Sequence, residues 1–278
     1  MRKILIALFV LAFVSTTPPL AMGDKGGRGS FKDPTTGIEF ILVKVKGGCF
    51  QMGDTFGDGW SNENPVHKVC VDDFYMGKYK VTQGQRKAIM GNNPSYFKNC
   101  DNCPVEQVSW NDVQKFINKL NQKNNPPSPP FSKGGMGGFR LPTEAEWEYS
   151  ARSGGNNVNY AGTSNESDLG EYAWYQSNSG SKTHPVEQKK PNGLGIYDMS
   201  GNVWEWVQDW YDSGYYKNSH RVNPKGPNSG SRRVIRGGSW DFSERDVRAS
   251  YLASSARRTA GAAALASALQ EENKLLDF

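Results

Sequence analysis

The chain is 278 residues long, 36% hydrophobic and 22% charged, with 31 glycines, 15 prolines and a formal net charge of +5. That length suits one large domain, and so many chain-breaking residues predict loops and short elements in place of long helices. Basic and acidic residues are interspersed, without the one-sided basic stripe of a nucleic-acid surface, so nucleic acid is not expected as a partner.

In chain order, Arg2 and Lys3 precede an apolar run from Ile4 to Val14 and a small-residue region from Ser15 to Ala21, so residues 1–21 read as an export signal. The run falls short of the roughly twenty apolar residues that a spanning helix needs, and no other segment approaches that length. The expectation is a periplasmic or secreted protein with no stable membrane span after signal cleavage. Residues 22–36, rich in Gly, Lys, Asp and Pro, read as a flexible lead-in to a domain over 37–256.

Strands are predicted at Glu39 to Val45, Gly48 to Met52 and His67 to Met76 from their alternation. Export permits disulfides. Cys49 and Cys70 lie on two of these strands and would be neighbours; Cys100-Asp-Asn-Cys103 is a close pair in a loop, a structural disulfide or a redox dithiol, with Pro104 and the lack of a βαβ pattern favouring the first. Thr82 is a candidate cap for a helix from Gln83 to Met90. Ser109 is one for a helix from Trp110 to Leu120, whose apolar face is Val113, Phe116, Ile117 and Leu120. Residues 124–138 are a Pro-rich then Gly-rich insertion with too little apolar surface to pack. Thr143-Glu-Ala-Glu146 is a capping box that starts a third helix and gives Glu146 a structural role.

Three motifs carry the functional information: Phe139-Arg-Leu-Pro-Thr-Glu-Ala-Glu-Trp-Glu-Tyr149, Gly195-Ile-Tyr-Asp-Met-Ser-Gly-Asn-Val-Trp-Glu-Trp-Val-Gln-Asp209 and Arg236-Gly-Gly-Ser-Trp240. In this order they resemble the sulfatase-modifying-factor family, which includes the formylglycine-generating enzymes. The resemblance runs from about Gly37 to Tyr251 and implies an irregular, loop-rich α+β domain related to the C-type lectin fold. It also implies two cysteines after the Gly-Gly-Ser-aromatic motif that hold Cu(I), an ion suited to thiolates. Those positions are Phe242 and Val247, and no cysteine follows Cys103, so copper and the oxidase reaction are not expected. A family calcium site would take side-chain oxygens from Asp198 and Glu205 and carbonyls from Gly201 and Val203, the oxygen-rich set that Ca2+ prefers. A second such site lacks its carboxylates, since residues 175–182 contain none.

Trp204 and Trp206 read as core, with a stacking platform as the alternative. His184, before Pro185, reads as a hydrogen-bonded turn residue with no paired nucleophile. After the third motif, Trp240, Asp241, Phe242, Ser243, Asp246 and Tyr251 are chemically miscellaneous between fixed-looking Arg236 to Trp240 and Val247-Arg-Ala-Ser250. They read as an exposed recognition patch for an unknown protein or cell-surface ligand, with Trp240 and Arg248 as frame. The pattern matches the segment varied in retroelement-diversified lectin-like proteins, whose changes arise by adenine substitution. The alternative is an enzyme that matures or tailors exported proteins. The chain ends in an Ala-rich stretch, 257–278, where the family closes with a Gly-Phe-Arg-Leu strand. One codon choice for residues 257–268, read two bases along, restores such an ending, so a shifted reading frame near Arg257 is an expectation.

Overall fold

The computed structural model describes residues 6–7, 12–13, 28–33, 35–124 and 138–256. The expected signal cleavage region, the 124–138 insertion apart from its ends, and the C-terminal stretch 257–278 lie outside them. Two of the three sheets form the body. The first has the order β1 (Ile6–Ala7), β9 (Trp204–Trp210), β10 (Arg232–Arg236), β11 (Ala253–Ala256); β1 runs parallel to β9 and the others are antiparallel. The second has the order β3 (Arg28–Lys32), β4 (Glu39–Val45), β7 (Phe74–Gly77), β2 (Ala12–Phe13), β8 (Phe139–Arg140). A hairpin of β5 (Gly48–Met52) and β6 (His67–Val71) makes the third, with Cys49 opposite Cys70 and joined to it. Two expectations are corrected here. Arg28–Lys32, placed in the lead-in, pairs along its whole length with β4. His67 to Met76 is two strands, split at the exposed Asp72-Asp73, where the Asn223 side chain accepts from Asp72 N at 3.0 Å and donates to Asp72 Oδ2 at 2.7 Å.

Helix α1 (Gln83–Met90) starts at a capping box in which Thr82 accepts from Gln85 N and Gln85 Oε1 accepts from Thr82 N. Helix α2 (Trp110–Asn124) runs past Leu120 before the insertion. Its face of Val113, Phe116, Ile117 and Leu120 is buried with Phe40, Trp204 and Trp206 in one core cluster. Helix α3 (Glu144–Ala151) opens with the Thr143–Glu146 box; Arg140 forks onto Glu146 at 2.6 and 2.7 Å. Trp147 and Glu148 of this helix are wholly buried. A buried carboxylate needs a fixed partner, and α3 therefore brings charge as well as apolar surface to the middle of the molecule.

Candidate ligand-binding site

The centre is organised by two buried arginines, one from each conserved-looking frame segment. Arg236, on β10, donates to the carbonyls of Ala249, Ser250 and Tyr251 at 2.6 to 2.8 Å and to Glu148 Oε2 at 2.5 Å. Glu148 also accepts from Arg152 Nε and Gly53 N, both at 2.9 Å. Arg248 forks onto Glu63 at 2.9 and 3.0 Å, donates to Ser250 Oγ at 2.8 Å, and approaches Asp58 at 3.4 Å. Arg236, Glu148 and Glu63 have no exposed surface and Arg248 has 1%. These pairs tie residues 53–63, α3, β10 and the segment after Val247 together.

Between the two arginines the chain turns sharply. Gly238, at φ +70°, has room for no side chain, since a Cβ would lie 2.5 Å from the Asp246 carbonyl. Ser239 Oγ donates to Asp241 Oδ1 at 2.6 Å, and Ser243 donates to Asp246 Oδ2 through its hydroxyl at 2.7 Å. The turn therefore presents only part of the predicted patch. Asp241 and Tyr251 are each 6% exposed, which corrects their placement on the surface. Tyr251 sits in the main core, 5.7 Å from the Trp204 ring, and Asp241 is held inward by Ser239. Ser243 and Asp246 are half-buried and serve as a local cap. Trp240 and Phe242 remain half-exposed.

Neighbours that the sequence did not single out extend this aromatic face. Phe97 meets the edge of Trp240 at 5.7 Å and is itself flanked by the exposed Tyr96 at 5.1 Å. The exposed Arg245 lies over Trp60, 4.4 Å from its centroid, and Trp60 packs on the same core cluster as Phe242. Phe242 packs edge-on against Trp204 at 5.1 Å. Trp60 and Phe97 are far from residue 240 in sequence, so no local pattern announces them; a tryptophan in the polar loop Asp58-Gly-Trp-Ser was the available signal.

Asp198 and Glu205, the carboxylates of the expected calcium set, are both buried and close enough for their charges to interact. Asp198 is 2% exposed at φ +60°, and Glu205, on β9, is wholly buried. Burial raises the Asp198 carboxyl above the usual aspartate range, against the lowering effects of the Glu187 amide and of the Lys80 charge. The Lys80 ammonium, also with no exposed surface, is hydrogen-bonded to Glu205 Oε1. Asp198 Oδ1 and Glu205 Oε2 have no hydrogen-bond partner among the described residues. The Asn202 side-chain amide exchanges hydrogen bonds with the His184 backbone at 3.0 and 3.2 Å and also acts to lower the Asp198 pKa. Gly201 stands against the Trp174 carbonyl, where a Cβ would lie 2.2 Å away. His184 stacks on Trp174 at 3.7 Å, with its Nε2 2.7 Å from the Ser179 carbonyl, and burial lowers its pKa. It is a turn residue, as its sequence context suggests. Trp204 and Trp206 are core residues with no exposed surface.

The profile of the sulfatase-modifying factor enzyme 1-like domain matches residues 31–264, which spans all three motifs and both frame arginines. The chain belongs to this family. Among its relatives, the chaperone protein LppX of Paenibacillus barcinonensis is 34% identical over 90% of this chain and 92% of its own length. The formylglycine-generating enzyme of Streptomyces coelicolor is 30% identical, over 71% and 78%. Among solved structures, Treponema denticola variable protein 1 is similar at a TM-score of 0.72 and 34% identity, covering 83% of this chain and 94% of that one.

Membership sharpens the question of metals. All four cysteines are in disulfides, Cys49–Cys70 and Cys100–Cys103, and none is free. At the two positions where the family resemblance implies copper thiolates, Phe242 lies on the core surface and Val247 packs in an apolar cluster with Tyr160, Leu169 and Ala173. Among the described residues no group of three or more His, Cys, Asp or Glu is placed to hold a metal. The Asp198–Glu205 pair does not fit a calcium ion in its present form. An ion on Glu205 would sit about 4 Å from an ammonium bound to the same carboxylate, a repulsion of about 8 kcal/mol at an effective dielectric of 20.

Proposed function

We propose that this chain is an exported ligand-binding member of the sulfatase-modifying factor family, which recognises an apolar segment of another polypeptide through the aromatic face around Trp240 and Phe242. One observation carries this reading. The segment that in the family's oxidases would hold copper here displays two half-exposed aromatics on a turn fixed from beneath by buried ion pairs. Aromatic side chains give large contact area at small conformational cost, and Arg245 beside Trp60 adds a donor at the rim.

The side chains of residues 242–245 can change without losing a hydrogen bond to either frame arginine, because Arg248 meets this segment only at the Arg245 backbone carbonyl. That separation of variable surface from fixed frame supports diversification of the segment, as does the likeness to a protein titled variable protein 1. A polypeptide ligand is favoured by the 34% identity to a protein named a chaperone. Export is supported by the commitment of every cysteine to a disulfide.

The test is to pan a displayed random-peptide library on the purified protein and measure selected clones against a Trp240→Ala/Phe242→Ala variant. Apolar peptides should be enriched and should lose at least tenfold in affinity on the variant, whose melting temperature stays within a few degrees of wild type. Peptides that bind both proteins equally would refute the site. The enzymatic alternative, a formylglycine-generating type of maturation, is tested in parallel: Cu(I), oxygen and a sulfatase-type cysteine peptide should yield no aldehyde.

A further inference from the structure

We propose that the Lys80 ammonium is a built-in cation standing where a calcium ion would otherwise balance Asp198 and Glu205, so that this chain folds independently of calcium and acquires a divalent-cation site only when Lys80 is removed. The proposal rests on geometry at the middle of the molecule. Lys80 and Glu205 are joined although neither has any exposed surface, and their separation in sequence is 125 residues. Asp198, the other carboxylate of the expected calcium set, is 2% exposed and accepts from the Glu187 amide at 2.9 Å through Oδ2.

Two carboxylates this deep need a cation, and water cannot supply the compensation. The ammonium supplies one positive charge and places one of its three donors on Glu205. What it leaves is informative. Asp198 Oδ1 and Glu205 Oε2 are buried and have no hydrogen-bond partner among the described residues, so two acceptor oxygens remain that the ammonium is not seen to satisfy. Calcium takes six to eight oxygens and would use both. A side chain that cannot carry charge at position 80 would leave those oxygens and Glu205 Oε1 facing a space with no cation in it.

The experiment compares wild type, Lys80→Ala, Lys80→Gln and Lys80→Ala/Asp198→Asn by thermal melting in EDTA and in millimolar calcium chloride. The wild-type melting temperature should be the same in both. Both single variants should melt well below wild type in EDTA and recover several degrees in calcium, while the double variant should not respond. A wild type stabilised by calcium overturns the proposal, as does a single variant that calcium fails to rescue or a double variant rescued equally. If neither single variant folds in either buffer, native mass spectrometry of wild type from calcium-containing buffer decides. Metal-free mass agrees with the built-in cation, and stoichiometric calcium overturns it.

Discussion

Replacing Glu63 by Gln is the sharpest test of the frame beneath the recognition turn. The change keeps the shape but removes the charge that two guanidinium nitrogens of Arg248 contact at 2.9 and 3.0 Å. Arg248 is then left 1% exposed, with Ser250 Oγ, the Arg245 carbonyl and a longer contact to the half-exposed Asp58. Removing one partner of a buried pair costs about 3–5 kcal/mol, because the remaining charge is uncompensated. Asp58 offsets a fraction of this. For a domain of this size each kcal/mol lowers the melting temperature by about 2–4 °C, so a fall of roughly 6–20 °C is expected. Urea unfolding should show the same loss without a change in slope. In a double-mutant cycle, Glu63→Gln/Arg248→Met should cost less than the sum of the single changes by about 2 kcal/mol or more. Glu171→Gln serves as the control. It breaks a pair with Lys190 whose side chains are 55% and 61% exposed, and such pairs contribute less than about 1 kcal/mol. A Glu63→Gln protein within 1 kcal/mol of wild type would refute the view that this pair fixes the turn.

Two further predictions concern pH and covalent links. Glu144 is buried, with 4% of its surface exposed, and desolvation outweighs Arg236 at 3.7 Å to push its pKa up to about 7. Between the ordinary glutamate value and about 7 the unfolded chain gives up a proton that the folded chain keeps. Stability should therefore fall as pH rises through that window, by about 3 kcal/mol if the shift is fully expressed. Glu144→Gln should flatten the fall, leaving the parts due to Glu106, Asp198 and Asp209, which burial shifts in the same direction; an unchanged slope in the variant would count against a protonated Glu144. Replacing Cys49 and Cys70 by Ser opens a 21-residue loop and should cost about 3 kcal/mol in urea unfolding, against about half that for Cys100 and Cys103, whose loop is 3 residues. Equal costs would show that loop entropy is not what these bridges supply.

Local chemistry was legible in the sequence wherever the partner of a residue lies within a few positions. The Thr82 and Thr143 caps and the α2 face were readable because each is a pattern of three or four residues. The bounds of β4 and β5 follow from alternation in the same way. The strand at Arg28–Lys32 was not readable, since its composition is that of a linker and only the edge of β4 makes it a strand. The family motifs located the site but not its surface. Asp241 and Tyr251 look variable beside Trp240, but the Ser239 hydroxyl holds Asp241 inward and Tyr251 packs on Trp204 in the core. Lys80 gave no sign of its role because its carboxylate partner is more than a hundred positions away.

The arrangement also explains how a scaffold of this family can change its chemistry and stay folded. The frame is carried by Arg236 with Glu148 and the carbonyls of residues 249–251, and by Arg248 with Glu63. Among the hydrogen bonds of these two arginines, residues 240–246 contribute only the Arg245 backbone carbonyl, which a substitution does not remove. Phe242 gains its place by packing on Trp204, and Val247 by joining Tyr160 and Leu169, so both stabilise the fold through apolar burial where thiolates would require a metal. A substitution at Phe242 thus alters contact surface at the cost of one edge-on aromatic contact. A substitution at Arg248 releases a buried carboxylate and with it the loop that carries Trp60. The two kinds of position lie six residues apart, and the energetic boundary between them is the turn at Gly238 to Asp246, which is where variation in ligand recognition and conservation of fold can coexist in one short segment.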